Sequence, residues 1–77
     1  MQLFKACKEL LITDPFYGFF LLNLRKEIVS GNHKIKTAGV GPNGINFTLY
    51  VNEDFWEKLT DTEQIALLKH EVKCVAS

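Results

Sequence analysis

The stretch Thr60–Ser77, TDTEQIALLKHEVKCVAS, sets the strongest constraint on what this chain can fold into. Thr60 and Glu63 have the spacing of a capping box. The Thr60 side chain accepts from the N–H of Glu63, and the Glu63 side chain reaches back to the N–H of Thr60. Ile65, Leu68, Val72 and Val75 then recur at helical spacing, with Ala66 and Leu67 beside them. A helix that begins here must lay this stripe on an apolar surface, which the preceding residues have to supply.

Those residues read as two helices, a β-hairpin and a short helix. Leu3, Phe4, Cys7, Leu10 and Leu11 give Met1–Ile12 an apolar face, with Lys5, Lys8 and Glu9 on the wet side. Asp14 and Pro15 then suit the N-cap and first turn of a second helix, expected from Pro15 to about Val29. It carries Phe16, Phe19, Phe20, Leu21, Leu24 and Ile28, so it is expected at the centre of the core. Gly18 inside it costs about 1 kcal/mol relative to Ala and suggests close approach by another backbone. Ser30-Gly31-Asn32 supplies the stop.

From Lys34 the apolar period changes to two. Lys34–Ala38 reads as a short strand, Gly39–Gly44 as the turn region and Ile45–Val51 as the second strand. Ile45, Phe47, Leu49 and Val51 are expected on one face, and Asn43-Gly44 supplies the positive φ of the turn. Asn52 caps a short helix, Glu53–Leu59. The fold class is therefore α+β, four helical segments on one hairpin, in a single domain spanning residues 1–77.

A chain of 77 residues buries only about 60% of its unfolded surface, so its large aromatic side chains matter. The cluster Phe16, Tyr17, Phe19, Phe20, Phe47, Phe55 and Trp56 could form a ligand pocket, but helical and strand spacing explain most of it as core. Nine basic and nine acidic residues cancel, with no block of either sign, which argues against nucleic acid and against an anionic membrane surface. The apolar run Phe16–Leu24 is too short to span a bilayer. No leader is expected at the start, and Cys7 and Cys74 lack the spacing of a secreted disulfide framework. A cytoplasmic setting follows as the expectation.

Within the last helix stands His70-Glu71-Val72-Lys73-Cys74. In the motif H-E-x-x-H, two histidines one turn apart bind a single zinc, and the glutamate beside the first polarises the attacking water. Here Cys74 occupies the place of the second histidine. His70 and Cys74 are spaced to share a metal, and thiolate is a good zinc ligand. Glu71 projects about 100° away from His70 on the helix and would serve the water. A catalytic zinc needs a third protein ligand, for which His33, Cys7, Asp54 or a residue of another copy are the candidates. The plainer alternative leaves His70 half-exposed near a helix end, with Cys74 packed as a small hydrophobe and His33 in a loop. A Cys74–His70 nucleophilic pair has no third group to orient it.

Asp14-Pro15-Phe16-Tyr17-Gly18, Thr37-Ala38, Asn43-Gly44, Asn52 with Phe55, Leu59-Thr60 and His70-Glu71-Val72 follow one another in an order that resembles a known family. It is similar to the N-terminal segment of the zincin-like metallopeptidases that often precede a von Willebrand factor A-like domain in bacteria and phages. The resemblance runs from about residue 10 to the end. It implies that the hairpin is an active-site sheet, that His70 is a zinc ligand and that Glu71 is the general base. The chain departs from the family pattern at Lys73 and at Cys74. The resemblance also implies supporting helices and a ligand beyond Ser77, so some apolar surface is expected to lack cover. Two functions are therefore expected. One is a degenerate or truncated metallopeptidase-like domain, of a kind that phages also encode, that binds a protein partner or a second copy through that surface. The other is a fragment of an active zinc peptidase using His70 and Glu71.

Overall fold

The computed structural model describes residues 1–44 and 46–76, in the order α1 (Leu3–Thr13), α2 (Pro15–Asn23), β1 (Arg25–Val29), β2 (Ala38–Asn43), β3 (Asn46–Asn52), α3 (Glu53–Glu57) and α4 (Asp61–Ala76). The fold is α+β, as expected. The sheet has three strands rather than two, in the order β1-β3-β2.

The extra strand corrects the reading of the second helix, which ends at Asn23 and not near Val29. Leu24 is extended (φ −77°, ψ 145°), and the Asn23 side-chain amide donates to the Phe19 carbonyl. Lys26 Nζ donates to the carbonyls of Leu24 (2.7 Å) and Leu22 (3.3 Å), which α2 leaves without helical partners. The chain then runs parallel to β3, pairing Arg25 with Thr48 and Val29 with Asn52. Beyond it, Gly31 (φ 62°) turns the loop after a strand, and does not stop a helix.

The hairpin is present, with its first strand shifted. Lys34–Thr37 is not a strand, and β2 runs through the residues expected as a turn, pairing Ala38 with Val51 and Asn43 with Asn46. Gly44 (φ 67°) supplies the positive φ of the turn. Ile45, expected on the inner face, and Ser77 lie outside the described residues. Pro42 is tolerated because β2 is an outer strand of the sheet. As the middle strand, β3 is covered on both sides: Leu49 and Val51 are buried, and so are Thr48 and Asn52.

Both caps form. Thr60 Oγ1 accepts from Glu63 N–H (3.2 Å), and Glu63 Oε1 accepts from Thr60 N–H (2.9 Å). Asn52 Oδ1 accepts from the N–H groups of Asp54 (3.1 Å) and Phe55 (3.4 Å), while its Nδ2 donates to the Ile35 carbonyl (2.9 Å). Asp14 makes no side-chain cap and instead lies 3.6 Å from Lys69 Nζ on α4.

Leu3, Ala6, Cys7 and Leu10 of α1 meet Leu21 of α2, Leu49 and Val51 of β3, Trp56 of α3, and Leu68 and Val72 of α4 in one core. A Cβ on Gly18 would overlap the backbone N and Cα of Leu11, so α1 and α2 touch backbone to backbone there. Adding one by Gly18→Ala should cost about 1–3 kcal/mol through overpacking. This contact fixes which side of α2 faces inward. Only Gly18 and Leu21 of α2 are fully buried, while Phe16 and Phe19 are 65% and 66% exposed. The helix is not the centre of the core.

Candidate functional site

The sequence placed the chemistry on α4, and the apolar stripe of that helix decides how its polar residues stand. Leu68 and Val72 are buried, which turns His70 and Cys74 to the outside. One turn apart, they meet: Cys74 Sγ lies 3.5 Å from His70 Nε2. Cys74 is exposed and free, so it does not pack as a small hydrophobe.

Glu71 follows Leu68 and Val72 inward and is only 9% exposed. Burial pushes its carboxyl above the usual range, and the charge of His70 offsets part of that rise. One helix thus presents an accessible nitrogen–sulfur pair and, about 100° around, a sheltered carboxyl whose proton is held more tightly than usual.

The candidates for a third metal ligand are elsewhere. Cys7 is fully buried on α1, where burial raises its thiol pKa and the nearby Lys26 charge partly lowers it. His33 is exposed in the loop after β1, stacks on Tyr50 at 6.5 Å, and accepts from Ile35 N–H through Nδ1 (3.1 Å). Asp54 Oδ2 accepts from Gly31 N–H at the start of α3 (3.4 Å). Among the described residues, no three His, Cys, Asp or Glu side chains converge as a metal site. His70 and Cys74 fit zinc as a pair of donors. They do not by themselves fit it as a catalytic centre.

A second feature goes against the reading of the aromatic cluster as mostly core. Phe19, Phe20 and Leu24 from the end of α2 and Phe47 from β3 line a groove of about 680 Å³, with Arg25 and Asn46 at its margin. Phe47 is 48% exposed, so Phe16, Phe19 and Phe47 must all be removed from the expected core. The close backbone approach that Gly18 suggested is its contact with Leu11, and the inward turn of that glycine leaves Phe16 and Phe19 outward.

No described helix is long and apolar enough to cross a membrane. Compared with known protein families, curated proteins and solved structures, the chain finds no match in any of the three.

Proposed function

We propose that this chain is a non-catalytic protein-binding module on a metallopeptidase-like scaffold, in which the groove formed by α2 and β3 receives apolar side chains of a protein partner. The observation that carries this reading is the exposure of Phe19 and Phe47 on one concave surface, in a fold that has a separate buried core. Contiguous apolar surface rimmed by polar groups is the usual mark of an interaction site. The Arg25 guanidinium at the margin would favour a partner segment with a carboxylate beside its apolar residues.

The test is to pan a random peptide display library on the wild-type chain and on a Phe19→Ser/Phe47→Ser variant. Enrichment of apolar–acidic peptides on the wild type alone supports the reading. Equal enrichment on both sinks it.

Glu71 favours a second reading, that of a zinc peptidase. A sheltered carboxyl with a raised pKa is what a general base for a metal-bound water requires, and the outer strand β2 could hold a peptide as an added strand. In that reading His70 and Cys74 would hold zinc together with a ligand from outside this pair, and the metal would supply the polarisation of a water. Quenched-fluorescence peptides incubated with the zinc-loaded chain decide between the two. Hydrolysis that disappears in Glu71→Gln would establish the peptidase, and no hydrolysis above that variant supports the binding module.

A further inference from the structure

We propose that two copies of this chain share one zinc ion, each contributing His70 Nε2 and Cys74 Sγ to a four-coordinate Cys2His2 centre. The inference rests on the geometry of α4 and on neither the aromatic groove nor hydrolysis.

The distance between the two donors is the first argument. In a tetrahedral centre with Zn–S about 2.3 Å and Zn–N about 2.0–2.1 Å, adjacent nitrogen and sulfur ligands lie about 3.5–3.6 Å apart. His70 Nε2 and Cys74 Sγ already stand at 3.5 Å. The pair therefore matches the length of one edge of the tetrahedron, and both side chains are exposed to a metal arriving from solvent.

The count of donors is the second. Zinc bound only by nitrogen and sulfur takes four such ligands, and the described residues gather two. Cys7 cannot complete the set, because it is fully buried. A two-fold axis through the metal doubles a pair into four, which is how a symmetric contact completes a half-site. Ala66, His70 and Cys74 also lie on one i, i+4, i+8 row, and Ala66 is exposed and small, so a second α4 can come close along it.

Charge is the third. The chain has a formal net charge of +0, so two copies do not repel at long range. Zn²⁺ with two thiolates and two neutral imidazoles is itself neutral. Each Cys74 thiol loses its proton to solvent as its sulfur binds, so the centre forms with release of two protons per zinc and nothing is oxidised. Cys74 also lies near the C-terminal end of α4, where the helix dipole favours a cation.

The experiment is light scattering on the size-separated chain in a non-thiol reductant, with zinc added in steps. The mass is expected to double from 8.8 kDa, with its break at one zinc per two chains, and to return on chelation. Cobalt in place of zinc should give a tetrahedral thiolate spectrum with the same stoichiometry. His70→Ala and Cys74→Ala should each remain monomeric and keep the wild-type circular dichroism. Phe19→Ser/Phe47→Ser should dimerise like the wild type, which separates this site from the groove. A monomer that binds one zinc per chain, binding of no zinc, or a dimer that forms without metal or survives either α4 substitution would each overturn the proposal.

Discussion

Glu71 shows most clearly how one residue records its surroundings. Its carboxyl is held above the ordinary range because burial penalises the charged form more than His70 relieves it. The sign of the stability effect follows. Below the carboxyl range of an unfolded chain, near pH 4.3, both folded and unfolded states are protonated and the penalty is absent. As pH rises through the elevated folded value, the folded state has to ionise a sheltered group and loses stability. Glu71→Gln is neutral at every pH. Its Tm should therefore exceed that of the wild type at pH 7, and the two should converge near pH 4. A constant difference across that window would show that Glu71 is not destabilised by its charge. The i, i+4 pairing of His70 with Cys74 was legible in the sequence, because the spacing alone fixes it. The inward turn of Glu71 follows from the Leu68 and Val72 stripe, but the depth of its burial depends on elements that no residue of α4 specifies.

At the scale of elements, the caps were legible and one strand was not. Thr60 with Glu63, and Asn52 ahead of α3, satisfy nearby backbone groups, so their chemistry is local. Their weights differ, however. Thr60→Ala removes an exposed cap and should cost about 1 kcal/mol. Asn52 is 3% exposed, and its side chain joins the start of α3 to the loop carbonyl of Ile35. Asn52→Ala removes the cap and leaves that carbonyl unpaired, for about 2–4 kcal/mol in all. At about 4–8 °C per kcal/mol for a domain of this size, thermal melts resolve the order. Equal losses would refute the junction role of Asn52. The strand β1 was hidden because Arg25–Val29 continues the apolar spacing of α2, and its pairing partners lie more than twenty residues downstream. The strand β2 was hidden because Gly39, Gly41, Pro42 and Asn43 carry turn chemistry, which an outer strand can absorb.

For the whole molecule, the question is how a small fold with exposed phenylalanines remains stable. Its core is supplied by Leu10, Leu21, Leu49, Leu68, Val51 and Val72, all essentially without solvent contact. The exposed Phe16, Phe19 and Phe47 are additional to that core. Phe16→Ser and Phe19→Ser should each change folding stability by no more than about 0.5 kcal/mol, as exposed positions do. Leu21→Ala should cost about 2–5 kcal/mol. Denaturant titration of the three variants separates the classes, and a loss at Phe19 as large as that at Leu21 would return it to the core. Spacing placed most of the aromatic cluster in the core, since a local pattern says how much apolar surface exists and not which part finds a partner. The order of the sheet has a consequence for synthesis. β1 pairs only with β3, and β2 pairs only with β3. No strand on a nascent chain can find its neighbour until residues 46–52 have left the ribosome. Up to that moment the emerging polypeptide has only α1 against α2, and its two earlier strands wait with open edges. Loop closure then favours the hairpin, over the shorter span, ahead of the pairing of β1 with a strand made after it.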